Sequence, residues 1–262
     1  MNSYFDIDFG QNWTEPLGEE FRNKKILLTN GCSWTWGGGL EPHFDSNERM
    51  IQENDRLRQT LVWPHWLGKL RNFDHVVNLS MGCGSNDRII RITTEWLLNQ
   101  PDYVIENITA VIQFTNLFRY EYYLPVQDTW VKANPNLVCG TRGNWDFDHK
   151  QCNKHRILTW TNDEGFQKAV NVVFGLQGIL KNFGIEHYFW AMPHEWNPAS
   201  SKKLAWLYKQ PCWISDNPIK NLVWKTIRSD ELEVSSTDMH PNLLGHIKLA
   251  EELDKLITIR GL

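Results

Sequence analysis

Short apolar runs alternate with longer amphipathic segments along this chain of 262 residues, and the alternation is the strongest constraint on its fold. Four runs are predicted to be buried strands: Ile26–Thr29, His75–Ser80, Val104 or Ile108 to Phe114, and Ile185–Ala191. Four segments are predicted to be helices: Leu61–Leu70, Ser85–Leu98, Asp163–Phe183 and Leu243–Leu256. This order indicates an α/β fold, a three-layer α/β/α sandwich around a mainly parallel sheet. About five strands are expected, and the pattern of Leu222–Ile227 fits the fifth strand or a helix equally well.

The domain organisation is predicted to be a single domain over residues 1–262, because no linker composition divides the chain. One stretch, Leu117–Trp160, lacks a clear period and is rich in Tyr, Trp, Asn and charge. It is too long for an ordinary connection between two elements. We therefore expect residues 117–160 to form a lid or a substrate-binding insertion.

Polar residues and glycines cluster where the predicted strands end. The first strand is followed by Asn30-Gly31-Cys32-Ser33-Trp34-Thr35-Trp36-Gly37, and the next two by Gly82 and Gly84 and by Asn116. Parallel α/β sheets bind ligands at the carboxyl ends of their strands, so these residues are expected to share one site. Two of these residues could instead have a purely structural role, since Ser33 suits a helix N-cap and Asn116 suits a turn.

Near the other end of the chain, Asp238-Met239-His240-Pro241 precedes the last predicted helix. A serine becomes a nucleophile when a histidine takes its proton, and a carboxylate can orient that histidine. Ser33, His240 and Asp238 are therefore the predicted nucleophile, base and acid, although His240 alone would be read as a surface histidine.

These segments resemble the four sequence blocks of the SGNH (GDSL-like) hydrolase superfamily. Ser85-Asn86-Asp87 after the glycines, and Thr115, Arg119 and Glu121 after the third strand, are similar to SGNH-like proteins of tailed bacteriophages. The resemblance covers about residues 25–250 and implies the flavodoxin-like SGNH fold. It also implies an oxyanion hole formed by Ser33, Gly82 or Gly84, and Asn116. The sequence departs from the family pattern at three positions: Thr237 where the acid is usual, Cys83 where the second block has glycine, and Phe114 before Thr115-Asn116.

The resemblance implies serine ester hydrolysis without a cofactor or metal. Trp34 and Trp36 are expected to bind substrate, and with 14 tryptophans in the chain a sugar-borne acetyl or other short acyl ester is the favoured substrate. Tryptophans that only fill a core are the alternative reading. Two other functions remain open, namely an inactive binding or structural protein with the same fold, and a thioesterase or lipase.

Charge and composition argue against several partners. The net charge of −4 and a pI of about 6.1 give no basic stripe for nucleic acid. No signal peptide and no run of about 18 apolar residues is seen, so a cytoplasmic protein without membrane contact is expected, with virion association left open. Cys139, His149, Cys152 and His155 do not match a common zinc spacing. The oligomeric state cannot be read from the sequence.

Overall fold

The computed structural model describes residues 15–40, 52–117, 119–125, 129–133, 162–191, 196, 202–214, 232–235 and 238–260. Its strands are β1 (Ile26–Asn30), β2 (His75–Asn78), β3 (Ile108–Phe114), β4 (Tyr120–Leu124), β5 (Thr129–Ala133), β6 (Glu186–Ala191), β7 (Glu233–Ser235) and β8 (Asp238–Pro241). Its helices are α1 (Ser33–Trp36), α2 (Gln52–Leu61), α3 (Trp63–Leu70), α4 (Asn86–Leu98), α5 (Asp102–Ile105), α6 (Asn162–Asn182), α7 (Lys202–Leu207) and α8 (Leu243–Ile259).

The main sheet has the order β2-β1-β3-β6, and all of its strand pairs are parallel. A short segment extends the sheet beyond β6, since Phe189 N–H donates to Cys212 O (2.7 Å) and Ile214 N–H donates to Phe189 O (2.9 Å). This segment forms a fifth position in the sheet through one parallel bridge. Leu222–Ile227, whose pattern fitted a fifth strand or a helix, lies outside the described residues. The resulting strand order is that of flavodoxin-like folds.

Both faces of the sheet are covered by helices, which makes the fold a three-layer α/β/α sandwich. Alternate residues of β1 point to opposite faces, so Ile26 and Leu28 join one core and Leu27 joins the other. The first core includes residues of α4 and α6, and the second includes residues of α3 and α8. This arrangement confirms the predicted fold class and leaves the carboxyl ends of β1, β2 and β3 at one edge.

Local signals place the helix ends close to their predicted positions. Ser85 is the N-cap of α4 and accepts a hydrogen bond from Arg88 N–H (3.1 Å), while Pro64 lies in the first turn of α3. Gly184, with a φ of +70°, follows the end of α6. The four-residue helix α5, where Val104 had been a possible strand start, and the β7–β8 hairpin were not expected from the sequence. Both are too short to produce a readable period.

The predicted insertion 117–160 contains a β-hairpin, because β4 and β5 pair antiparallel. A bidentate ion pair ties the hairpin to α4: Arg91 Nε donates to Glu121 Oε1 (2.9 Å) and Arg91 Nη2 donates to Glu121 Oε2 (3.1 Å). The Glu121 carboxylate is only 2% exposed, so this pair is largely shielded from solvent. Residues 134–160 lie outside the described part of the chain, as do Cys139, His149, Cys152 and His155.

Candidate active site

Ser33 is the first residue of α1, and only Gly31 and Cys32 separate it from the carboxyl end of β1. The N-cap of α1 is Cys32, whose backbone is extended, and no side chain caps the helix. The alternative reading of Ser33 as an N-cap residue is therefore wrong. The Ser33 carbonyl accepts hydrogen bonds from Gly37 N–H (2.9 Å) and Gly38 N–H (2.7 Å), which close the turn after it. The Ser33 hydroxyl is thus presented on a one-turn helix at the end of β1, an inner strand of the sheet.

His240 meets Ser33 although 207 residues separate them in the chain. His240 Nε2 lies 2.8 Å from Ser33 Oγ, within hydrogen-bond distance. Gly38 supports this contact sterically, since a Cβ there would stand 2.8 Å from His240 Cδ2 and 3.2 Å from Ser33 Cβ. The structure therefore brings the predicted nucleophile and the predicted base together.

The predicted acid belongs to β8, the strand that also carries His240. The side chain of Asp238 and the whole of Thr237 lie outside the described part of the chain. The role of Asp238 therefore stays a prediction.

The loop after β2 differs between its two candidate glycines. Gly84 N–H donates to Met81 O (3.0 Å), which closes a turn, and Cys83 in that turn has a φ of +60°. Gly84 also allows a close approach, because a Cβ there would stand 3.2 Å from the Gly31 carbonyl oxygen. Within the described residues, Gly82 N–H has no hydrogen-bond acceptor. Of the two amides, Gly82 N–H is therefore the one available to a substrate.

Asn116 is positioned by a buried residue that the sequence reading treated only as part of a helix start. Asn86 Oδ1 accepts from Thr115 N–H (2.9 Å), and Asn86 Nδ2 donates to the carbonyls of Thr115 (3.2 Å) and Asn116 (3.3 Å). Trp196 Nε1 also donates to Thr115 O (2.7 Å). The Ser85-Asn86-Asp87 segment thus caps α4 and also fixes the end of β3. Because capping alone accounts for these polar residues in the sequence, their contact with the end of β3 could not be predicted.

The structure corrects one of the two tryptophans expected to contact substrate. Trp34 is 3% exposed and packs in the core between the sheet and helices α3 and α8. It therefore cannot serve as a stacking surface. Trp36 is half-buried, with its ring beneath the Arg58 guanidinium (3.8 Å) and beside Gly82. Only Trp36 keeps the position expected of a substrate contact.

A second histidine, His246, lies fully buried near His240 and was missed in the sequence. Its Nδ1 accepts from Trp63 N–H (3.3 Å), which fixes the tautomer with the proton on Nε2. Burial, together with the nearby His240, lowers the pKa of His246 to about 3. The sequence did hold a signal for this burial, because His246 lies on the same helical face as the apolar residues Leu249 and Leu253.

The lowered pKa makes His246 a source of acid instability. The unfolded chain takes up a proton on this ring below about pH 6.5, whereas the folded protein does so only near pH 3, so stability must fall as the pH drops between these values. We expect His246→Gln, which keeps an acceptor for Trp63 N–H, to flatten this fall. Urea unfolding at pH 7 and pH 4.5 should show a loss smaller by about 2 to 3 kcal/mol than in the wild type. An equal loss of unfolding free energy in both proteins would show that His246 is not a source of the acid instability.

Within the described residues, no group of His, Cys, Asp and Glu side chains is arranged to hold a metal ion. None of the described helices combines the length and the apolar character needed to cross a bilayer.

Comparison with known proteins gives one family and several solved structures, two of which are described here. A family of unknown function, DUF6071, matches residues 45–206, a stretch that contains Gly82, Gly84 and Asn116 but neither Ser33 nor His240. The lipase Lip_vut3 from a goat rumen metagenome is 14% identical, with a TM-score of 0.43 over 88% of this chain and 96% of the lipase. A carbohydrate esterase, described as having an active site with divergent catalytic and non-catalytic binding functions, is 11% identical, with a TM-score of 0.44 over 89% of this chain and 68% of the esterase. No curated protein matches the sequence. These identities are too low to transfer a residue role to this chain.

Proposed function

This chain belongs to the family of unknown function DUF6071, and we propose that it is an SGNH-type serine ester hydrolase. The observation that carries the proposal is the 2.8 Å contact between His240 Nε2 and Ser33 Oγ at the carboxyl edge of a parallel sheet. A nucleophile within reach of a base is the minimal unit of this chemistry.

In the proposed reaction, Ser33 Oγ attacks the acyl carbonyl while His240 Nε2 takes the hydroxyl proton. The bond between the carbonyl carbon and the alcohol oxygen then breaks, and His240 gives its proton to the departing alcohol. A water molecule, deprotonated by His240, attacks the acyl-serine and releases the acid. Ser33 recovers its proton from His240, so the enzyme returns to its starting state.

The negative oxygen formed during attack needs donors aimed at it. The N–H groups of Ser33 and Gly82 have no acceptor within the described part of the protein, and Ser33 N–H belongs to the first residue of α1, where helix amides lack intrahelical partners. We propose these two amides, with the Asn116 side chain, as the oxyanion hole. Each donor in such a hole contributes on the order of 3 kcal/mol to transition-state stabilisation. Gly84 is excluded from this role because its N–H closes the Met81 turn.

We propose a sugar-borne short acyl ester as the substrate, with the β4–β5 hairpin as its contact surface. Two rings of the hairpin, Tyr123 (43% exposed) and Trp130 (38% exposed), lie with centroids 5.5 Å apart. The Arg91 guanidinium lies 4.4 Å from the Trp130 ring and is itself held by Glu121, so the indole is supported before any ligand binds. An exposed, supported aromatic surface suits the apolar face of a sugar ring.

We expect the protein to hydrolyse p-nitrophenyl acetate. Across p-nitrophenyl esters, kcat/KM should fall as the acyl chain is lengthened from acetate to octanoate. Trp130→Ala should lower kcat/KM on an acetylated oligosaccharide about tenfold, since the removed contact belongs to the sugar, and leave p-nitrophenyl acetate hydrolysis within about twofold. Trp206→Ala is the matched control, because Trp206 is also exposed (41%) and stacked on one ring, Phe174, but belongs to α7.

Other outcomes would favour the alternative functions. A preference for octanoate would favour a lipase or thioesterase. No hydrolysis of any ester by a folded protein would favour a binding or structural role. Equal losses on both substrates in Trp130→Ala would contradict the hairpin as a sugar contact.

A further inference from the structure

We propose that Thr35 is the positioning residue of Ser33, and that it fixes the nucleophile turn by bonding to both strands that flank β1. The inference rests on the proposed function, because it concerns the placement of the proposed nucleophile. Thr35 itself is fully buried, so it cannot contact substrate and acts only through the backbone of α1.

The need for such a residue follows from the length of α1. A helix of four residues contains one turn, and a single turn is unfavourable by itself because it fixes several dihedral angles for one hydrogen bond. The position of Ser33 must therefore come from contacts between this turn and the rest of the protein. A turn without such contacts would move the Ser33 hydroxyl relative to His240.

The side chain of Thr35 supplies the first contact. Its hydroxyl donates to Gln113 Oε1 (2.5 Å), and Gln113 is a fully buried residue of β3. Gln113 Oε1 also lies 3.7 Å from Cys32 Sγ, on the other side of Ser33 in sequence. One amide oxygen on β3 thus holds the residues before and after the nucleophile.

The main chain of Thr35 supplies the second contact. Its carbonyl accepts from Asn78 Nδ2 (3.0 Å), and Asn78, at the end of β2, is 2% exposed. The Asn78 side chain is itself held, since its Oδ1 accepts from Ser80 N–H (3.2 Å). Because β2 and β3 lie on opposite sides of β1, the two bonds pull the turn from both sides.

Gly31 shows how little room this arrangement leaves. A Cβ at Gly31 would stand 2.3 Å from Thr35 Oγ1 and 2.8 Å from Gln113 Oε1. The glycine before the nucleophile is therefore required for the bond from Thr35 to Gln113 to form.

The test compares three variants: Thr35→Val, which removes the hydroxyl at nearly constant volume, Thr35→Ser, which keeps it, and Thr29→Val. Thr29 is the matched control because it is also fully buried, and its hydroxyl donates to Val77 O (3.2 Å) within the sheet. On p-nitrophenyl acetate, Thr35→Val should lower kcat by about 10- to 100-fold with KM within about threefold, since misplacement of a reacting group by about 1 Å has effects of this size. Thr35→Ser and Thr29→Val should keep kcat within about threefold of the wild type.

Stability separates positioning from general damage. Thr35→Val and Thr29→Val each lose one buried hydrogen bond, so their melting temperatures should fall by similar amounts. A Thr35→Val kcat within threefold of wild type, or an equal loss of kcat in Thr29→Val, would overturn the inference. If Thr35→Val does not fold, Gln113→Met removes the same bond from the other side and carries the same expected results.

Crystal structures of the wild type and Thr35→Val test the positioning of Ser33 without an activity measurement. In Thr35→Val we expect the Ser33 Oγ to His240 Nε2 separation to exceed the hydrogen-bond range, compared with 2.8 Å in the wild type. An unchanged separation would overturn the positioning role even in a protein without esterase activity. Absence of hydrolysis in a wild type that retains the short separation would instead count against the proposed function alone.

Discussion

Ser33→Ala is expected to remove nearly all of the enzymatic hydrolysis of a short acetate ester. The hydroxyl that His240 Nε2 faces at 2.8 Å is removed, and no acyl-enzyme can form without it. Loss of the nucleophile in a serine hydrolase lowers kcat by roughly 10⁶-fold. The fold should survive, since the substitution removes one atom from a residue that is not fully buried. Turnover and melting temperature should be measured together.

Cys32→Ala is the control for this variant. Cys32 is adjacent to Ser33, but its side chain is fully buried and faces Gln113. We expect Cys32→Ala to lose some stability and to retain most of the turnover. Near wild-type turnover in Ser33→Ala, with loss of turnover in Cys32→Ala, would show that Cys32 and not Ser33 is the nucleophile.

His240→Ala is expected to be nearly inactive, because Ser33 then has no base to take its proton. Asp238→Asn should lower kcat by about 10²-fold or more, as expected when a histidine base loses the carboxylate that fixes its tautomer. Thr237→Val should lose much less, although Thr237 occupies the position where the SGNH pattern has its acid. The measurement is kcat for the three variants on one small ester.

A different result for Asp238→Asn would change the mechanism without removing the base. If its kcat stays within threefold of wild type while His240→Ala is inactive, another group orients His240, and the reaction runs on a Ser-His dyad. If His240→Ala also retains activity, the Ser33–His240 contact has no catalytic role.

The sequence predicted the fold well because periodicity and caps are local signals. The predicted helices Ser85–Leu98 and Asp163–Phe183 agree with α4 and α6 to within one residue at each end. The edge segment Cys212–Ile214 was not foreseen, since a single bridge to β6 leaves no alternating pattern. The four-residue helix α5 escaped for the same reason.

The site was foreseen only in part, because its geometry depends on contacts between distant segments. The convergence of Ser33 and His240 followed from strand order and motif resemblance. The roles of Gly82 and Gly84 were separable only after the hydrogen bond from Gly84 N–H to Met81 was known. Trp34 was wrongly predicted to contact substrate, because the sequence does not show whether a tryptophan next to a nucleophile faces the substrate or the core.

The supporting residues of the site were the least visible in the sequence. Asn86 and Thr35 act through buried hydrogen bonds to other strands, and nothing in their immediate neighbours records those partners. The same holds for Asn78, whose side-chain amide donates to the Thr35 carbonyl from the neighbouring strand.

If Ser33 is a nucleophile activated by His240, a serine-directed covalent reagent must label it. The wild type, Ser33→Ala and His240→Ala are each treated with a fluorophosphonate, and the labelled position is mapped by peptide mass spectrometry. We expect one adduct per chain, on Ser33, absent in Ser33→Ala and formed far more slowly in His240→Ala. A folded wild-type protein that takes no label, or takes it on another residue, would show that Ser33 is not an activated nucleophile.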